Sequence, residues 1–74
     1  MIKKLSIGEY TLRAEEYISL LDNKKAYGIT LYKDGKEVLH SGRTTLKSLN
    51  DEDMKKYLED SIELIEILKG SDIK

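Results

Sequence analysis

The sequence predicts an α+β fold: an antiparallel β-meander of three to four strands, followed by one C-terminal α-helix packed on one face (ββββα). Three observations carry this reading. Residues 51–69 repeat apolar side chains at helical spacing between clear start and stop signals. Asp34-Gly35 sits between two alternating runs and is the pair that a type I′ hairpin turn favours. Upstream, the run "YTLRAEEYISLL" alternates apolar and polar residues over most of its length.

The helix is read first. Asn50 is an N-cap with Asp53 at N3, and the acidic first turn Asp51–Glu52–Asp53 suits the positive end of a helix dipole. Leu49 and Met54 have the spacing of a hydrophobic staple, while Lys69 and Gly70 supply a basic last turn and a left-handed stop. Met54, Tyr57, Leu58, Ile62, Leu64, Ile65 and Leu68 share one apolar arc. Glu59, Glu63 and Glu66 form an acidic face, with Ile67 exposed among them as a candidate contact anchor.

The hairpin follows from Asp34-Gly35. A plain turn sets Leu31 against Val38, Ile29 against His40 and Thr30 against Leu39. That register joins Tyr27, Ile29, Leu31 and Val38 into one apolar face, with His40 at its rim. A three-residue loop with a bulge at Gly35 would move the register by one residue and flip the faces of the second strand. Strands are expected near 2–7, 10–20, 26–33 and 36–43. The segment 10–21 also fits a helix, with Ala14, Tyr17, Ile18 and Leu21 at i, i+3, i+4 and i+7, so βαββα is the alternative. Asp22-Asn23 as a turn and the change of apolar phase at Gly8 favour the strand.

Composition narrows the function. Seventy-four residues suit a single α+β domain over 1–70 with a flexible tail over 71–74. The absence of cysteine removes disulfides and thiol chemistry, and the solitary His40 has no partner for a metal cluster. No apolar run reaches the roughly 20 residues that span a bilayer, and Met1–Leu5 opens no secretory segment, so a cytoplasmic protein is expected. Residues 1–50 hold nine Lys/Arg against six Asp/Glu, whereas 51–74 hold four against eight. That split argues against a general nucleic-acid binder, which usually carries a clear basic excess. The absence of Pro, Trp, Phe and Cys beside many Lys, Ile and Glu is the usage of a low-GC bacterium or its phage.

No catalytic set emerges. Glu16 is expected to lie two strands from His40, about 10 Å away and beyond direct hydrogen-bond reach. "SGRTT", Ser41–Thr45, lacks the glycine-rich loop and the following helix of a phosphate-binding loop. The expectation is a non-enzymatic domain without cofactor or metal. One helix covers one face of a sheet, which leaves Tyr17, Leu21, Thr30, Tyr32 and Leu39 on the other as a partner interface, for a second protein or a homodimer. A regulatory role, such as an inhibitor or accessory factor of a bacterial or phage system, fits that profile. The alternative is a single-stranded nucleic-acid binder using the hairpin tyrosines with the basic fringe Lys24, Lys25, Lys33, Lys36 and Arg43. Its element order is shared with a class of single-strand-binding domains.

Overall fold

The computed structural model describes residues 1–71. Strands β1 (Ile2–Ile7), β2 (Tyr10–Ile18), β3 (Lys25–Lys33) and β4 (Lys36–Ser41) form a four-stranded antiparallel sheet in the order β1-β2-β3-β4, and α1 (Asp51–Ser71) follows. The fold is therefore the ββββα meander, and 10–18 is a strand rather than a helix. Some element boundaries differ from expectation. β2 stops at Ile18, β4 stops at Ser41, and α1 runs through Gly70 to Ser71. The expected tail beyond Ser71 lies outside the described residues.

Each turn obeys its local chemistry. Asp34 and Gly35 both have positive φ (51° and 81°), as a type I′ turn requires. At Gly8-Glu9 only the glycine is left-handed (φ 59°), the pattern of a II′ turn. The connection 19–24 closes through Ser19 N–H donating to Lys24 O and Asn23 N–H to Ser19 O, with Asn23 itself at φ 56°. Asn50 caps α1, its Oδ1 accepting from Asp53 N–H at 2.9 Å.

The core lies between one sheet face and the first half of α1. Leu12, Ile29 and Leu31 meet Met54 and Leu58, all at most 2% exposed, with Tyr10, Ala14, Tyr27 and Leu46 around them. Each such apolar side chain stabilises the fold by about 1.5–3 kcal/mol relative to exposure. Glu16, the one charge that β2 turns to this face, lies opposite Tyr27 and accepts the Tyr27 hydroxyl at 2.9 Å. That bond holds the phenol above its ordinary pKa, with burial adding to the effect.

The helix packs on β1 and β2, and Leu46 from the connection covers part of the β3 side. At 21 residues α1 is about 31 Å long, against about 20 Å for the six residues of β1. Its later turns therefore have less sheet beneath them. Leu64 and Leu68 of the expected apolar arc stay 57% exposed, and Ile67 58%.

The hairpin register departs from expectation. Lys33 pairs with Lys36 and Tyr32 with Glu37, but Leu31 then pairs with Leu39 and Thr30 with His40, leaving Val38 as an extra residue in a β-bulge. Beyond the bulge β4 turns over. Leu39 joins the helix-side face beside Leu31, although it is 42% exposed at the sheet edge, and His40 moves to the opposite face. The exchange makes chemical sense: the imidazole leaves the apolar face and lies 3.0 Å from the Thr30 hydroxyl.

Replacing fully buried Leu58 by Ala should cost about 2–5 kcal/mol in urea unfolding. Leu64→Ala, one turn and a half further along, should stay within about 0.5 kcal/mol because that side chain is exposed.

Candidate interaction surface

The sheet face turned away from α1 is organised in rows across the strands. The middle row reads Lys4, Arg13, Thr30, His40. One row lies to one side, Ser6, Thr11, Tyr32, Glu37, and another to the other, Ile2, Glu15, Gly28. Tyr17 opposite Ala26 completes the face toward the 19–24 connection.

Tyr17, Thr30 and Tyr32, three of the expected interface residues, therefore share this face. Leu39 does not, because the bulge turns it to the helix side. Leu21 is not on a strand at all. β2 ends at Ile18, and Leu20 and Leu21 stand at the tip of the connection, 100% and 93% exposed. That tip is held firmly. Besides the two backbone bonds already given, Leu21 N–H donates to Ser19 Oγ, Lys24 N–H to Asp22 Oδ1, and Arg43 pairs with Asp22 at 2.6 Å.

Tyr17 has a structural task that the sequence did not reveal. Its hydroxyl donates to Gly42 O at 2.5 Å, so the ring must reach across β3, where the opposing residues are the small Ala26 and Gly28. Gly28 is also tightly placed: an added Cβ would lie 3.1 Å from Gly42 O, so that carbonyl would have to give by a few tenths of an ångström. The result is a hollow of about 160 Å³ bordered by Arg13, Glu15, Tyr17, Gly28, Thr30 and His40. Arg13 and Glu15 are half-buried, line the same hollow, and make no side-chain hydrogen bond or ion pair among the described residues. Sequence reasoning missed both. Their alternation with Leu12 and Ala14 marks them as outward-facing, yet nothing local distinguishes them from ordinary solvated charges.

The basic fringe does not converge. Lys33 sits at the turn end of the hairpin, 3.5 Å from Glu9 and over the Tyr10 ring, and Lys36 is exposed beside it. Lys24, Lys25 and Arg43 lie at the other end, about 27 Å away along β3, and Arg43 is taken up by Asp22. The acidic helix face is also smaller than expected. Glu59 and Glu63 face solvent, but Glu66 accepts the Tyr10 hydroxyl at 3.2 Å and belongs to the sheet-side flank. A larger hollow of about 270 Å³ lies between residues 45–47, which lead into the helix, and α1, but its charges are mostly paired, Asp60 with Lys56 and Asp53 with Ser48.

No family model, curated protein or solved structure matches this chain.

The hydrogen bond from Arg43 and the backbone bond from Lys24 hold the Asp22 carboxyl below its ordinary pKa. Because the folded value is the lower one, this contribution to loop order is complete above the unfolded value of about 3.9 and is lost as pH falls through the folded value. An NMR titration should place the Asp22 midpoint below about 3.9, and Arg43→Ala should return it toward that figure while loosening the amides of 19–24.

Proposed function

We propose that this protein is a small cytoplasmic, non-enzymatic interaction domain that docks a partner protein on its open sheet face and on the adjoining 19–24 tip. A regulatory or inhibitory role follows naturally for a domain of this kind. One observation carries the reading: Leu20 and Leu21 are almost fully exposed on a connection that its own hydrogen bonds and the Asp22–Arg43 pair hold in one shape. Two adjacent leucines presented in this way are an unfavourable use of apolar surface unless something covers them. They adjoin Tyr17, and beyond it lie Arg13 and Tyr32, residue types enriched at the energetic centres of protein interfaces. A rigid tip also loses little freedom on docking, which favours affinity.

Single-stranded nucleic acid is the second reading, favoured by the row Lys4, Arg13, His40 lying between Tyr17 and Tyr32. Against it stand Glu15 and Glu37 on the same face and the dispersal of the hairpin lysines.

Sedimentation should report whether the occupant is a second copy, and panning a random peptide library should report whether it is another chain. Self-association or selected peptides should be lost with Leu20→Asp, Leu21→Asp and Tyr32→Asp, all substitutions outside the core. Monomers at high concentration together with no peptide sensitive to these changes would remove the reading. Salt-steep binding of oligothymidylate that is lost with Tyr32→Ala would replace it with the second.

A further inference from the structure

We propose that the hollow at Arg13 is a carboxylate-receiving site, taking an Asp or Glu side chain from an extended segment of the partner, with a hydrogen-bond donor two residues along that segment meeting Glu15. The proposal rests on reading the open face as a protein interface.

The first support is an imbalance within the hollow. Arg13 is half-buried with its fork of N–H donors unengaged, and Glu15 is half-buried with its carboxylate unengaged. Both head groups stay accessible to solvent, so an incoming complementary pair can engage them without breaking any bond within the protein. A guanidinium grips a carboxylate through parallel N–H bonds, so Arg13 is the anchor. Thr30 lies beside it in the same row and His40 follows, its Nδ1 turned to the Thr30 hydroxyl, which leaves Nε2 as the imidazole's second polar atom. Lys4 on the other flank of Arg13 makes the whole row attractive to an anion.

The second support is shape. Gly28 contributes no side chain where its neighbours would fill the space, and the hollow of about 160 Å³ suits one side-chain head group rather than a large ligand.

The third is spacing. Arg13 and Glu15 are alternate residues of β2 and point to the same side, about 7 Å apart. An extended peptide repeats its same-side residues at that interval. A segment lying along β2 therefore brings an acid over Arg13 and a Lys, Asn or Gln over Glu15. A continuous polyanion matches less well, since the rows on either side of Arg13 carry Glu15 and Glu37.

The test uses NMR titration of the full chain with acetate, inorganic phosphate, oligothymidylate and the blocked tripeptides Glu-Thr-Lys, Gln-Thr-Lys and Glu-Thr-Glu. Acetate should shift Arg13, Thr30 and His40. Glu-Thr-Lys should bind about tenfold or more tightly than Gln-Thr-Lys, the scale of a charge-assisted hydrogen bond. Arg13→Gln should abolish that preference, while Glu15→Gln should instead remove the advantage of Glu-Thr-Lys over Glu-Thr-Glu. Both positions lie outside the core, so the variants keep the wild-type spectrum elsewhere. The proposal is overturned if acetate leaves the hollow unmoved, if Arg13→Gln keeps the preference, or if oligothymidylate binds there far more tightly than any carboxylate. Library peptides that need Leu20 and Leu21 but ignore Arg13→Gln would sink the carboxylate site and leave the docking role standing. Carboxylate binding at Arg13 without any such peptide would remove the docking role and, with it, the partner segment as the source of the carboxylate.

Discussion

Met54 and Leu58, one turn apart on α1, are seated with no exposure on Leu12, Ile29 and Leu31, and the rest of the molecule is arranged around that contact. A chain of this length supports one core of this kind, so the sheet has one covered face and one uncovered face. The Asn50 cap and the Leu49 contact fix where the helix begins. Its start places Met54 and Leu58 over the sheet, and its length carries Leu64 and Leu68 beyond good cover. Both the open face and the exposed helix end are consequences of seating one long helix on one face of the sheet, over β1 and β2.

The uncovered face is not a featureless polar surface. The bulge at Val38 delivers His40 to Thr30, and Tyr17 crosses β3 to reach Gly42. Both contacts tie β4 and its exit into the sheet, where hydrogen bonds along an edge strand alone would hold it weakly. Bulges also blunt an edge against pairing with other chains, and here the same irregularity sorts the side chains of β4 between the faces. The hollow at Arg13 is the space these contacts leave. Tyr17 holds Gly42 with its hydroxyl and still presents a 39% exposed side chain to the surface.

Leu20 and Leu21 illustrate how far a pattern can be misread. Alternation extended β2 to residue 20 and put Leu21 on the open face. The strand ends sooner because Ser19 N–H turns to Lys24 O and Asn23 adopts a left-handed backbone, which closes the connection. The leucines then project from its tip. Leu21, expected on the open sheet face, stands instead at the exposed tip beside it, together with Leu20.

What the sequence determined by itself was the set of elements and their order. Turn chemistry at Asp34-Gly35 and Gly8, the Asn50 cap and the apolar period of 51–69 all act within a few residues, so they can be read without knowing the fold. The tertiary structure decided which face each residue of β4 occupies, which charges remain unpaired, and how much of α1 is covered. Local rules offered a plain two-residue turn or a three-residue loop bulged at Gly35; the structure keeps the two-residue turn and bulges at Val38, which pairs His40 with Thr30 and Leu39 with Leu31. The unpaired state of Arg13 and Glu15 is likewise a property of their surroundings, where β3 sets Thr30 and Gly28 opposite them and offers no charge, and no spacing along the chain encodes it.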